Sequence, residues 1–560
     1  MSRINRAILL ALTLLSACAA ADPSTGVTAR RAEDHSGGMF GGFLDGQFAM
    51  GQADPAEAAT WYLRALASDP TSPELLQQAF LACALSGRQE SVQLARQLPD
   101  NQAAQLLLGD TEARAGNWAA AEQRFRALPR QGLTQLLQPV LVAWAQAGAG
   151  HTDAAVATLR PLIDGQRFRG VYALHAAMIL DLAGNTVEAG RYYHLAQTEF
   201  PGLDLRLAQI LASWDARSGR EADAMHVLSD VAREAPYLTI ALPALIADSH
   251  RRAVTRATDG IAEAYLALAG ALRQQDAGDF AMLLLRFALD LRPDFTAARL
   301  MTAEILTSEH HPDFALQMLA PVADSDALGA PARLQRALLA DQMGHTDDAL
   351  RELTRLSKDY PESPLPDAQI GDIQRIKQHY PDAIAAYDRA IGRVKTPGHD
   401  DWLLYYSRGI AYDRSHQWPK AQADFEHALA LAPDQPAVLN YLGYSWADAD
   451  KHLPDAKQMI DKAVQQRPND GAIVDSLGWV LLREGDTKGA VKTLERAVEL
   501  EPQDSTINGH LGDAYWASGR KLEATYQWRR ALTLNPEPED AAKLEAKLNG
   551  SRQSAVVTGQ

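Results

Sequence analysis

Apolar and polar residues along most of this chain are arranged as in helices. Almost no stretch alternates with the period of two that a half-buried strand shows. The helical segments repeat, because Gly478 and its neighbours return 34 residues later around Gly512. A fixed period of this length is typical of stacked helix–turn–helix units. The pattern therefore predicts an all-α repeat fold.

Two small residues mark each unit, which consists of a first helix A and a second helix B. One, usually alanine, begins the packing face of helix B, and the other, usually glycine or alanine, stands about twelve residues earlier in helix A. Glycine inside a helix costs about 1 kcal/mol relative to alanine. Its recurrence indicates that helix B crosses helix A there without room for a side chain. In the C-terminal units these repeat-packing residues are Gly409, Gly443, Gly478, Gly512, Ala421, Ala456, Ala490 and Ala524.

The spacing of these markers resembles the tetratricopeptide repeat (TPR). One clear copy has Leu511, Gly512 and Tyr515 in helix A, followed by Ala524 and Pro536. The resemblance covers about residues 39–536. It implies a right-handed superhelical α-solenoid of about fourteen TPR units with a C-terminal capping helix. A glycine stands five residues before the helix B marker in eight units, where left-handed backbone commonly ends a helix.

Irregular spacings and composition predict the domain boundaries. The interval between the markers Ala224 and Ala281 is too long for one repeat, so an insertion that adds a helix is expected there. The predicted order is signal peptide 1–17, flexible tether 18–38, degenerate N-terminal repeats 39–235, insertion 236–260, middle repeats 261–400, regular C-terminal repeats 401–536, capping helix 537–549 and disordered tail 550–560.

The N-terminus has the pattern of a secretory signal. Arg3 and Arg6 precede an apolar run that is about half the length of a transmembrane helix. The run ends in Leu15-Ser16-Ala17-Cys18, which resembles the bacterial lipobox. The resemblance implies that Cys18 carries a diacylglyceryl group and a third acyl chain such as palmitate. The chain is similar to proteobacterial envelope TPR lipoproteins, and we expect it at the periplasmic face of the outer membrane.

The TPR resemblance also implies where a partner would bind. In that family helix A lines a concave groove, and in the C-terminal units its groove-facing positions alternate between aromatic and acidic or amide side chains. Asn440 would hold the backbone of an extended peptide, and the acidic and aromatic character favours a basic or apolar segment. An alternative for Tyr406 and Trp516 is that they pack between repeats. The predicted groove residues are Tyr406, Asn440, Tyr444, Asp475, Trp479, Asp513 and Trp516.

The remaining features narrow the function. A net charge of −16 argues against nucleic acid as a partner. No catalytic, phosphate-binding or metal-binding motif was found, so we expect no enzyme activity, cofactor, metal or small-molecule substrate. The prediction is a scaffold that binds other envelope proteins. Alternatives are a structural TPR subunit of a polysaccharide or pilus export complex, an adaptor of peptidoglycan hydrolases, and an enzyme with its site in the insertion.

Overall fold

The chain folds into helices throughout the part that can be described. A computed structural model describes residues 39–130, 134–165, 168–200, 202, 204–273 and 278–557, and these ranges contain no strand. Cys18, with the predicted signal peptide and tether, lies outside them. None of the helices in these ranges combines the length and apolar character needed to span a bilayer. The chain forms two compact units, the first ending at Thr111 and the second beginning at Glu112.

The first unit begins with antiparallel helices that pack in chain order. Gly42, Gly46 and Ala49 form the buried face of the first helix. A Cβ atom on Gly46 would lie 2.6 Å from Tyr62 Cε1, so the two helices approach closely at this glycine. The helices are α1 (Met39–Gly51), α2 (Pro55–Ser68), α3 (Pro73–Ser86) and α4 (Glu90–Ala95), and α5 (Gln102–Arg114) spans the division between the units.

The second unit continues the same alternation of A and B helices. Its helices are α6 (Trp118–Ala127), α7 (Thr134–Gly148), α8 (Thr152–Asp164), α9 (Arg169–Leu182), α10 (Thr186–Glu199), α11 (Leu205–Arg217), α12 (Glu221–Glu234), α13 (Leu242–Asp248), α14 (Ala257–Arg273), α15 (Gly278–Leu291), α16 (Thr296–Ser308), α17 (Pro312–Leu319), α18 (Gly329–Gln342), α19 (Thr346–Asp359), α20 (Leu365–Ile376), α21 (Tyr380–Arg393), α22 (Trp402–Arg414), α23 (Trp418–Leu431), α24 (Pro436–Asp448), α25 (Leu453–Gln466), α26 (Gly471–Arg483), α27 (Thr487–Leu500), α28 (Ser505–Ala517), α29 (Lys521–Leu532) and α30 (Pro538–Val557). The predicted all-α repeat solenoid is confirmed.

Within a pair, the backbone of helix A lies directly against a large side chain of helix B. A Cβ atom on Gly409 would lie 2.6 Å from Phe425 Cε1, and one on Gly443 would lie 2.9 Å from Ile460 Cγ1. Such distances are far below ordinary carbon–carbon contact, so a methyl group does not fit. The same relation joins Gly478 to Leu494 and Gly512 to Trp528. The helix B markers Ala421, Ala456, Ala490 and Ala524 are fully buried.

The turns between paired helices share one backbone conformation. Gly485, between α26 and α27, has φ +89°, which only glycine adopts without strain. Seven further predicted turn glycines are also left-handed. The conformation is kept where glycine is absent, since His310, Gln378 and His416 stand at the equivalent position with φ from +58° to +66°. The turn geometry is therefore a property of the repeat rather than of glycine.

The insertion is a packed connection. A 3₁₀ helix, Pro236–Ala241, is followed by α13 and by an irregular segment that ends where α14 begins at Ala257. Ile240 is buried with Ala330 and Leu334 of α18. The second compact unit runs through this segment.

Helix α14 also covers an A helix that lies three units earlier in the chain. It packs against α7, and a Cβ atom on Gly260 would overlap the indole of Trp144. The Trp144 Nε1–H donates to Nδ1 of His175 on α9 at 3.0 Å. Burial lowers the pKa of His175 to about 3, which keeps this nitrogen free to accept the bond. The A-helix surface between α7 and α14 is thus closed by the chain itself.

Helix α30 covers the last pair. Leu544 and Leu548 join the apolar core formed by α28 and α29. The sequence predicted a capping helix over 537–549 and a disordered tail over 550–560, but α30 continues to Val557. The polar composition of the tail hid this continuation, because alanine, serine and glutamine extend a helix that has already nucleated.

The glycine contact leads to a test of packing with a matched control. Gly478→Ala places a methyl group against Leu494 and should destabilise α26 and α27 by about 1–3 kcal/mol. Gly392→Ala, also helical but with open space around its Cβ position, should leave stability unchanged or raise it by up to about 1 kcal/mol. Hydrogen exchange of the amides in α26 and α27, and in α21 for the control, measures both effects. Equal effects of the two substitutions would contradict the contact.

Candidate functional site

The candidate site is the surface formed by helices α22, α24, α26 and α28 on the side away from their B helices, here called the C-terminal A-helix surface. Unlike the surface between α7 and α14, it keeps several large side chains partly accessible. Six of the predicted groove residues are half-buried, and the seventh, Asp475, is buried. The half-buried residues are Tyr406, Asn440, Tyr444, Trp479, Asp513 and Trp516.

Four side chains from three successive A helices form one cluster on this surface. Asp475 of α26 accepts a hydrogen bond of 2.8 Å from His510 Nδ1 of α28. The His510 ring stacks on Trp479, with ring centroids 4.2 Å apart, and lies 6.1 Å from the ring of Tyr444 on α24. We call Tyr444, Asp475, Trp479 and His510 the aromatic–histidine cluster. The structure thus brings together three of the predicted groove residues and one that was not predicted.

The surroundings of the cluster stabilise a protonated imidazole and a neutral phenol. Burial alone would lower the pKa of His510, but the Asp475 carboxylate outweighs burial and raises this pKa above its usual value. Burial raises the pKa of the Tyr444 phenol, and the carboxylates of Asp448, Asp475 and Asp540 raise it further. The surroundings of Tyr444 therefore oppose the gain of negative charge.

Two polar atoms on this surface are buried without a hydrogen-bond partner among the described residues. They are Asn440 Oδ1, an acceptor on α24, and Trp479 Nε1, a donor on α26. A buried polar group without a partner costs about 1–3 kcal/mol. Each peptide unit of an extended chain offers one donor and one acceptor, which complement these two groups.

The remaining predicted residues have partners within the chain. Asp513 accepts hydrogen bonds from Trp528 Nε1 at 2.9 Å and from Lys547 Nζ of α30 at 2.6 Å. Trp516 packs against Trp528, with ring centroids 5.4 Å apart. Asp513, predicted as a groove residue, is therefore held by partners of its own chain.

Tyr406 lies within an aromatic group that joins neighbouring units. Its ring is 6.0 Å from Phe425 and 6.1 Å from Tyr441, measured between centroids. Burial raises the pKa of Tyr406 to about 12. Packing between repeats thus describes Tyr406 better than an open groove position.

Asp475, predicted as a groove residue, is buried, and His510 of the next unit is its partner. Helix geometry places Asp475 on the A-helix surface, but the residue is only 4% exposed, and its carboxylate is hydrogen-bonded to the imidazole of the next unit. The sequence analysis did not predict His510 as a groove residue. It stands 35 residues after Asp475, one more than the repeat period of 34, so the two residues are not at equivalent positions. The sequence does contain one sign of this partner. A histidine stands directly before the Leu-Gly pair in this unit, whereas the preceding unit has Ser476 at that position.

The raised pKa of His510 gives a pH-dependent stability with a defined sign. The protonated imidazole is stabilised in the folded state, so its contribution is complete below the ordinary histidine pKa of about 6.5 and is lost as pH rises through the raised value. His510→Asn keeps a donor near Asp475 but cannot take up the proton. Thermal unfolding from pH 5 to pH 9 should show the largest deficit of the variant at low pH, on the order of 3 kcal/mol. The exposed His345→Asn variant controls for the loss of an imidazole. A deficit that grows with pH would contradict the assignment.

Comparison with known proteins agrees with the repeat. A family model described as tetratricopeptide repeat matches residues 92–132, 334–400, 406–471 and 476–542. A TPR repeat-containing protein of Pseudomonas aeruginosa is 27% identical over 164 residues, a match that covers 29% of this chain and only 27% of that protein's length.

Solved structures with similarity to the chain include a further tetratricopeptide repeat protein. The Cut9–Hcn1 hetero-tetramer of the APC/C is 15% identical, with coverage of 91% of this chain and 95% of that chain and a TM-score of 0.38. A tetratricopeptide repeat protein from Parabacteroides merdae is 12% identical, with coverage of 45% and 97% and a TM-score of 0.35. The family-model matches fall on helix pairs described above, so these segments of the chain are similar to tetratricopeptide repeats.

Proposed function

We propose that this protein is a non-catalytic scaffold that binds an extended segment of another envelope protein across its C-terminal A-helix surface, and that it is anchored to the outer membrane through Cys18. Tetratricopeptide repeat proteins act as protein–protein interaction scaffolds. The observation that carries the proposed site is the contrast between the two stretches of A helices. The stretch from α7 to α14 is closed by the chain, whereas α24 and α26 keep Tyr444 and Trp479 half-buried.

The chemistry of the surface favours a basic or apolar segment. Aromatic rings give a large contact area at low cost in side-chain entropy, and Tyr444 and Trp479 supply it here. Asp448 is exposed next to the cluster and would attract a lysine or arginine of the partner. Asn440 and Trp479 supply the unpaired acceptor and donor for the partner's main chain.

Anchoring rests on the sequence Leu15-Ser16-Ala17-Cys18 after an apolar run. Several acyl chains on one cysteine hold a protein on a membrane stably, since each buried CH₂ contributes about 0.8 kcal/mol. The residues after Cys18 are Ala19 and Ala20, without the aspartate that retains lipoproteins of the enterobacterial type at the inner membrane. The proposal therefore places the repeats in the periplasm.

The site is tested by removing its two accessible rings. Tyr444→Ala combined with Trp479→Ala should keep the helical circular dichroism but lose most of the crosslinked partner, because the main apolar contacts of the surface are gone. Leu522→Ala combined with Tyr526→Ala, which removes exposed side chains from α29, is the matched control. Partner recovery is measured with a photocrosslinker at position 440 in cells, followed by mass spectrometry of the crosslinked peptide.

Two results of this experiment bear on separate parts of the proposal. Wild-type recovery of the partner by the Tyr444 and Trp479 variant shows that the segment binds elsewhere. Capture of a strongly acidic peptide at position 440 contradicts the predicted charge preference even if the site is right. A milder variant, Tyr444→Phe, keeps the ring contact and the Trp479 donor and should retain binding, which separates loss of the surface from loss of folding.

A further inference from the structure

The first helix of the described chain has one apolar face without a partner among the described residues of its compact unit. Phe40, Leu44 and Phe48 are 76%, 63% and 71% exposed. They follow one another at intervals of four residues, so they lie within about 80° of arc on one side of α1. The opposite side, with Gly42 and Gly46, is buried against α2. We call Phe40, Leu44 and Phe48 the α1 stripe.

We propose that the α1 stripe inserts into the interfacial layer of the lipid bilayer that carries the anchor. This inference rests on the proposed lipidation of Cys18. The 22 residues from Cys18 to Phe40 cannot span more than about 75 Å, so an anchored Cys18 keeps α1 close to the bilayer. Large apolar side chains on one side of a surface helix are the feature by which such helices lie in a membrane interface.

The polar residues of α1 are compatible with this position. Asp45 is the only charged residue in the helix, and Gln47 is uncharged. Gly41 and Gly51 have nothing within 4 Å of their Cβ positions, so no described side chain shields the stripe from that direction. The helix therefore brings little charge against an anionic lipid surface, in contrast to the net charge of −16 for the whole chain.

A second copy of the chain fits the stripe less well. A large apolar side chain buries at most about 250 Å², and these three are 76%, 63% and 71% exposed, so together they give at most roughly 550 Å². A stable protein interface buries about 800 Å² on each partner. A bilayer requires no matching surface, and the anchor supplies the high local concentration that a small contact needs.

The test places one fluorescent label in the stripe of the full-length, acylated protein. Leu44→Cys provides an exposed thiol, because Cys83 is buried and Cys18 is acylated under the proposal. The labelled protein is reconstituted in phosphatidylethanolamine and phosphatidylglycerol vesicles, with and without nitroxide-labelled lipid. We expect a blue-shifted emission that loses most of its intensity with the nitroxide lipid. Leu522→Cys, at an exposed apolar position of α29, is the control and should show neither change.

Adding Phe40→Ser and Phe48→Ser to the labelled variant should return the label to water while the acyl anchor stays in place. Unchanged helical circular dichroism and an unreactive Cys83 show that this variant is folded. A blue shift that rises with protein concentration and is not quenched by nitroxide lipid means that a second copy covers the stripe, which overturns the inference.

If the label on the acylated protein emits as it does in water, the inference about the α1 stripe is wrong, while the proposed anchoring is unaffected. If mass spectrometry finds no acyl chain on Cys18, the proposed anchoring fails and the inference fails with it.

Discussion

The constraint on which the rest of the structure depends is the contact between the backbone of helix A and a large side chain of helix B. Phe425, Ile460, Leu494 and Trp528 differ in shape and volume, yet each lies over the glycine of its own pair. A fixed glycine tolerates this variety because only one partner of the contact needs to be small. The helices consequently stay at one separation while the core between them changes. The register of these four units is thereby kept although their large side chains differ.

A constant helix pair leaves the A-helix surface free to be used in different ways. Between α7 and α14 the chain buries this surface, with Gly260 against Trp144 and with Arg206 bound to Glu263 through two nitrogens. Arg292 also reaches Glu263, at 3.2 Å, so the single buried carboxylate is shared by two guanidinium groups. Further along, the aromatic–histidine cluster satisfies Asp475 internally and leaves Tyr444 and Trp479 partly open. The same architecture thus builds a closed core in one stretch and an accessible surface in another.

The features predicted correctly from the sequence are those that recur from unit to unit, and the contacts that were missed occur only once. The helix pairs and the left-handed turns follow from residues that return every 34 positions, such as Gly478 and Gly485. The contact of Gly260 with Trp144 joins units three apart, so no periodic signal marks it. Asp475 and Asp513 were placed on the correct helices, but helix geometry gives only the direction of a side chain. Their partners are His510, at a position where the preceding unit has Ser476, and Lys547 of the capping helix.

The first and last described helices show how this fold treats an apolar surface at its ends. A terminal repeat exposes the face that the next repeat would cover, and water penalises that face. At the C-terminal end α30 covers this face, since Leu544 and Leu548 are buried and Lys547 binds Asp513. At α1 the exposed Phe40, Leu44 and Phe48 lie on a helix that is otherwise well packed through its glycines. The glycine contacts on the opposite side of α1 do not involve these three side chains, so packing against α2 does not account for them. The proposed contact with the bilayer would give them the cover that α30 gives the other end.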